Sequence, residues 1–172
     1  MKKFKYMTMK KELLTVFLSP HFVKFCLVGV SGVGVNLGMF YLLDIYGLIS
    51  TVRSAIAIEI SIISNFMMNE YWTFKGRGQQ QFIWKRLFQF QLVSLMGALI
   101  QWMIFIWVNV GWVYLGWTNI PWAQYSLELS WTKPMLYPPE IGQWLYFSQL
   151  VGIIGATVWN FLMNFYWTWG KK

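Results

Sequence analysis

Four asparagines stand inside apolar stretches, where amides are costly unless they do something. Asn65 and Asn69 are four residues apart, as are Asn160 and Asn164, and Tyr, Trp and Thr follow each pair. Residues 65–74 read NFMMNEYWTF and residues 160–169 read NFLMNFYWTW, identical at seven of ten positions and offset by 95. An amide offers donors and an acceptor without charge, which suits sugar hydroxyls. Asn36 and Gln101 carry the same chemistry in the two other apolar stretches, and Glu59 is an acid in the stretch that holds Asn65 and Asn69. The amides have a plainer use as well. Interhelical amide bonds average about 0.6 kcal/mol, and Asn65 bonded to Asn160 could simply glue two helices.

These groups need helices to hold them at depth. The chain is 57% hydrophobic, 20% aromatic and 12% charged, whereas soluble domains are about 25% charged. A span needs about 20 mostly apolar residues. Four stretches qualify, near 22–46, 54–74, 87–114 and 144–168. The expectation is an all-α integral membrane protein of four transmembrane helices.

The repeat extends beyond the phrase. At an offset of 65, Phe25, Gly29, Gly32, Asn36 and Phe40 fall opposite Phe90, Ser94, Gly97, Gln101 and Phe105. At an offset of 95, Ala57, Ser61, Asn65, Asn69 and Thr73 fall opposite Gly152, Ala156, Asn160, Asn164 and Thr168. The chain therefore reads as two duplicated helical hairpins. Two spans per half make the repeats parallel, about an axis along the membrane normal. Steps of four put each amide series on one helix stripe. Span one has a small face of Gly29, Gly32, Gly34 and Gly38, of a kind that lets helix backbones approach. At about 1.5 Å per residue, Asn65 lies roughly 14 Å from Phe74 and Asn69 roughly 7 Å. Trp72 and Trp167 then fall at headgroup level with Tyr71 and Tyr166, as interfacial aromatics do.

The net charge of +8 is explained by topology rather than by nucleic acid. Lysines crowd the start of the chain up to Lys24; Lys75, Arg77, Lys85 and Arg86 lie between spans two and three; Lys171 and Lys172 end the chain. Only Arg53 and Lys133 fall in the other two loops. The positive-inside rule then puts both termini in the cytoplasm. Residues 1–20 read as a basic cytoplasmic or interfacial segment, not a signal peptide, with lysines suited to anionic lipid. Residues 21–172 form the transmembrane domain. The loop 115–143 is aromatic and proline-bearing, and is expected on the outer interface with a short helix near 121–131. It serves as a connector or as a lid over a lipid-facing groove.

Glu59 has Ile154 as its repeat mate, so the duplicated architecture does not need it. It is either functional, paired with Arg53, or exposed in the outer headgroup region. Cys26 and His21 are the only residues of their kinds, and His21 has no evident partner. No disulfide, metal or other cofactor site is expected. With no phosphate-cradling loop, no metal pair and no HExxH, the chain does not read as an enzyme.

FVKFCLVGVSGVGVNLGMFYLL at 22–43, with the phrases at 65–74 and 160–169, resembles the GtrA family of small four-helix membrane proteins. The resemblance covers about residues 20–170. It implies a translocase for a polyprenyl-phosphate-linked sugar in cell-surface polysaccharide synthesis, in a bacterial-type cytoplasmic membrane and usually beside a membrane glycosyltransferase. The family commonly has a basic residue after the second Asn, where this chain has Glu70 and Phe165. Phosphate would then need another cation: Lys24, Lys75, Lys85 or Arg86 on the inner face, or Arg53 on the outer. The expected substrate path is Asn36, Glu59, Asn65, Asn69, Gln101, Asn160 and Asn164. Four helices make a thin wall, which suggests a homodimer or a partner. The rival readings are a non-transporting scaffold for a glycosyltransferase and a small-solute exporter driven through Glu59.

Overall fold

The structure is a computed structural model, described over residues 15–78, 80–127 and 141–170. Residues 1–14 of the basic segment expected at 1–20 and residues 128–140 of the loop expected at 115–143 lie outside the described residues.

Helix α1 spans Pro20–Ile45, and α2 spans Ser50–Met68 before running into a π-helical turn at Asn69–Thr73. Helix α3 spans Ile83–Tyr114, the short α4 spans Trp122–Leu127, and α5 spans Trp144–Met163 with a second π-helical turn at Asn164–Thr168. Four of these are long and apolar enough to cross a membrane: Pro20–Ile45, Ser50–Thr73, Ile83–Tyr114 and Trp144–Thr168. The four expected long apolar helices are all present. The first three begin a few residues earlier than hydropathy suggested.

Local chemistry accounts for the ends. Pro20 opens α1, where its missing N–H and fixed φ cost nothing. The helix stops at Gly47, whose φ of +71° suits a residue without Cβ, and whose N–H donates to the Asp44 carbonyl at 2.9 Å. Gly78 matters differently. Its φ is +63°, and a Cβ there would lie 3.0 Å from the Trp169 Cα. Both backbone conformation and close approach demand glycine at that point.

The chain clusters into two compact units, one up to Gln91 together with the residues from Met163 onward, the other Leu92–Leu162. In the first unit α1 pairs with α2. Phe25, Val28 and Gly32 of α1 are buried, as are Ala57, Ser61 and Phe66 of α2. In the second unit α3 pairs with α5. The Trp159 indole donates to the Val93 carbonyl at 3.3 Å, and a Cβ on Gly152 would lie 2.8 Å from the Gln101 carbonyl. Burial follows the repeat. Val93, Phe90, Gly97, Gly152, Ala156 and Phe161 are buried like Val28, Phe25, Gly32, Ala57, Ser61 and Phe66. The outward faces are apolar: Val30 is 71% exposed and Leu37 63%. Such faces fit hydrocarbon, which offers no drive to hide them.

Candidate functional site: amide stripes and the motif end

Each hairpin is fastened by an asparagine resting on a glycine. A Cβ on Gly32 would lie 2.7 Å from the Asn65 amide carbon, and one on Gly97 would lie 2.8 Å from that of Asn160. Neither space admits a methyl group without a shift. Ser61 adds a bond to the Gly32 carbonyl at 2.8 Å; its repeat mate, Ala156, has no hydroxyl. The rest of the small face expected on α1 does not pack: nothing lies within 4 Å of a Cβ on Gly29, Gly34 or Gly38. The two amides share a further property. Buried Oδ1 atoms of Asn65 and Asn160 have no hydrogen-bond partner among the described residues. A buried acceptor left unmade costs about 1–3 kcal/mol, so these oxygens are suited to a donor from a visiting molecule or from water.

One turn further on, each duplicated phrase leaves the α-helix. The Phe74 N–H donates to the Asn69 carbonyl at 2.8 Å and the Trp169 N–H to that of Asn164 at 2.9 Å, each closing a five-residue turn. Phe74 and Trp169 adopt φ of −110° and −113°. Such turns inside α-helices are rare and often functional. Asn69, Thr73, Asn164 and Thr168 are all buried.

The two phrases meet just past these turns. Phe74 and Trp169 stack with ring centroids 4.5 Å apart and planes 19° apart, both fully buried. Phe66 and Phe90 lie 5.9 and 5.8 Å from the Trp169 ring. The Trp169 indole donates to Glu70 Oε2 at 2.7 Å. Glu70 is held by Arg86, which donates to its two oxygens at 2.5 and 3.0 Å. The Arg86 guanidinium also donates to the carbonyls of Gly78, at 2.9 Å, and Gln81. Arg86 and Glu70 side chains are only 6% and 10% exposed, so this pair is buried and many-bonded, as a buried charge requires.

Both π-helical turns are capped. A helix end leaves carbonyls unpaired and carries partial negative charge. The His21 Nδ1 lies 2.6 Å from the Thr73 carbonyl, which must accept, so Nδ1 carries the proton. The expectation that His21 lacks a partner is therefore corrected. Arg77 donates to the carbonyls of Phe165 at 3.0 Å and Trp169 at 3.3 Å, with its guanidinium 3.9 Å over the Phe165 ring. Burial lowers the Arg77 pKa from its ordinary value, opposed by the nearby Tyr166.

The other expected site residues are scattered. Lys24 lies over the Trp72 ring at 5.5 Å, a cation–π contact at the motif end. Trp72 and Trp167 are 43% and 42% exposed, and Lys75 and Lys85 are exposed. Asn36 and Gln101 are half-buried on α1 and α3. Arg53 does not pair with Glu59. It pairs with Asp44 and sits 4.5 Å over the Phe40 ring. Glu59 is exposed and accepts from Gln91 Nε2 at 2.5 Å.

Asn109 was missed by the sequence reading. It is wholly buried on α3, and neither amide atom has a partner among the described residues. It lies within an apolar run, and only its repeat mate, Asp44, signals it. Nearby in sequence, Val110 and Val113 pack with Ile141, Trp112, Trp122 and Trp144. Trp112 stacks on Trp117 at 5.1 Å, lies tilted 4.7 Å from Trp144, and donates to Ser148 Oγ at 3.1 Å. No group of three His, Cys, Asp or Glu could hold a metal among the described residues.

Comparison with known proteins gives the family. A dolichol-phosphate mannosyltransferase of Pyrococcus furiosus is 38% identical over 88 residues, which are half of this chain and 24% of that protein. The chain thus spans only a fraction of that relative's length. Residues 24–169 match the GtrA/DPMS transmembrane domain, a membrane-spanning rather than a catalytic family. The two duplicated hairpins therefore form a multi-pass membrane domain: the chain is a member of the GtrA/DPMS transmembrane-domain family.

Proposed function

We propose that this protein moves a polyprenyl-phosphate-linked sugar across the membrane. The observation that carries the reading is the duplicated amide stripe. Asn65 and Asn160 hold buried acceptor oxygens without protein partners, one in each hairpin. Taking a hydrated headgroup through hydrocarbon is the energetic problem. Uncharged acceptors at that depth reduce it for hydroxyls while the prenyl tail stays in lipid. The family supports the substrate class, as does the relative named for dolichol phosphate.

The phosphate needs a cation. Arg86 is occupied by Glu70 and two carbonyls. Lys24 beside Trp72, with exposed Lys75 and Lys85, offers the accessible charge at the motif end. The distribution of basic residues supports placing that end and both termini in the cytoplasm, with residues 1–20 on the inner leaflet and 21–172 as the transmembrane domain.

The test is reconstitution in proteoliposomes with a labelled short-chain polyprenyl-phosphate glucose, followed by its accessibility to an outside reagent. Protein-dependent flipping should fall at least tenfold in an Asn65→Ala/Asn160→Ala double variant of normal expression. Full transport by that variant would remove the amides from the path.

One observation favours a second reading, a membrane platform for a glycosyltransferase. The matched relative is a longer protein named as a mannosyltransferase. On this reading, folded protein would flip no lipid-linked sugar, yet membranes containing it would retain a transferase that membranes without it lose.

A further inference from the structure

The two copies of the Asn-Thr pair are identical in sequence and different in bonding. In the second copy, Thr168 Oγ1 donates to Asn164 Oδ1 at 2.8 Å, so the two oxygens satisfy each other and Asn164 Nδ2 is left without a partner among the described residues. In the first copy, Asn69 Oδ1 and Thr73 Oγ1 are both buried and both lack a partner among the described residues. Asn69 and Thr73 are each 1% exposed. One turn up the same stripe, Asn65 Oδ1 is also unpartnered. Three oxygens thus follow one helix face at four-residue steps, roughly 6 Å apart along the axis where it is α-helical.

We infer that Asn69 and Thr73 form a binding site for sugar hydroxyls, while Asn164 and Thr168 form a structural clasp. The inference rests on the lipid-linked-sugar reading and adds which half recognises the sugar. The chemistry selects the ligand. An amide oxygen only accepts, and a threonine hydroxyl both donates and accepts. A hydroxyl can give its proton to Asn69 Oδ1 and accept from Thr73, or do the reverse with the threonine. A phosphate dianion has only acceptors and cannot satisfy Asn69 Oδ1. The site therefore takes the neutral, hydroxyl-bearing part of the headgroup. The Thr73 backbone carbonyl is already engaged by His21, which leaves the side chain to the ligand.

Thr73→Val and Thr168→Val separate the two roles, because valine keeps the shape and removes the hydroxyl. The full chain in lipid nanodiscs is titrated with short-chain polyprenyl phosphate, bare or carrying glucose or mannose, and its melting is recorded without ligand. Wild-type protein should bind at least one sugar-bearing form about tenfold tighter than the bare lipid phosphate. Thr73→Val should lose that advantage while keeping its affinity for the bare form and its melting temperature. Thr168→Val should keep the advantage and melt lower. A wild-type protein without sugar preference, or a Thr73→Val protein that retains it, overturns the site. Water alone on these oxygens would give the first of those results. Binding that follows the expected pattern without flipping in proteoliposomes would instead refute translocation and leave the site standing. Flipping with the preference intact in Thr73→Val would do the opposite.

Discussion

Asn65 rests on Gly32 in the first hairpin and Asn160 on Gly97 in the second, but the ends away from the motif have parted company. There, Asp44 and Arg53 form an ion pair beside Phe40. Their repeat counterparts are Asn109 and Ser148, buried, with Ser148 bonded to a tryptophan. Duplication kept what fastens helix to helix and what shapes the π-helical turns. The far ends differ: one copy has a charge pair, and the other has neutral residues, one of them bonded to Trp112. Helix contact in lipid depends on small residues and close backbones, so the glycine–asparagine seats tolerate little change. Ends near the interface can meet their polar groups with water, partners or rings.

The largest way to break the comparison is at the motif end, where both phrases share one network. Arg86→Ala leaves Glu70 as a buried unpaired charge and should cost about 3–5 kcal/mol in unfolding free energy. An Arg86→Met/Glu70→Gln double variant should recover most of that loss; equal losses would mean that packing, not charge, dominates. Next comes Asn109→Asp, which copies the acid of the first hairpin without its arginine. Burying that charge should lower stability by about 3 kcal/mol or more near neutral pH, with recovery as the acid is protonated at low pH. The matched change Asp44→Asn at an exposed pair should shift melting by an amount equivalent to under about 1 kcal/mol.

Between these lie the glycine seats. Gly32→Ala and Gly97→Ala should each destabilise by about 1–3 kcal/mol, as overpacking does, and by similar amounts if the seats are true copies. Gly34→Ala meets open space and should be neutral or stabilising by up to about 1 kcal/mol, from helix propensity alone. The smallest effect expected is from Asn109→Leu. Removing two unmade hydrogen bonds offsets the shape change, so stability should hold or rise slightly. A clear loss would reveal that a bound water or ligand satisfies this amide.

Much of the frame was legible in the sequence because membrane helices declare themselves by length and composition. The offsets of 65 and 95 also identified Gly32, Gly97, Asn65 and Asn160 as equivalent positions. Which glycines pack was not legible. Helix α1 is apolar on every side, so periodicity could not separate Gly32 from Gly29, Gly34 and Gly38. The Glu70–Arg86 pair joins residues sixteen apart in sequence, and the His21–Thr73 bond spans fifty-two. Pairings of that range depend on how elements dock, which composition does not encode. The closing of one Asn-Thr pair and the opening of the other is subtler still, since identical residues behave differently in different surroundings.

The π-helical turn has a geometric consequence for everything beyond it. It holds one residue more than an α-turn, so it rotates the following chain by about 100° relative to an uninterrupted helix. Phe74 and Trp169 each follow such a turn. Deleting one residue from either turn would swing its ring to another compass bearing and unhook the stack, although every side chain in the stack was still present. The phrase is thus a phase-setting device as well as a set of side chains, and two rings from distant parts of the chain can face each other because both copies carry the same angular offset.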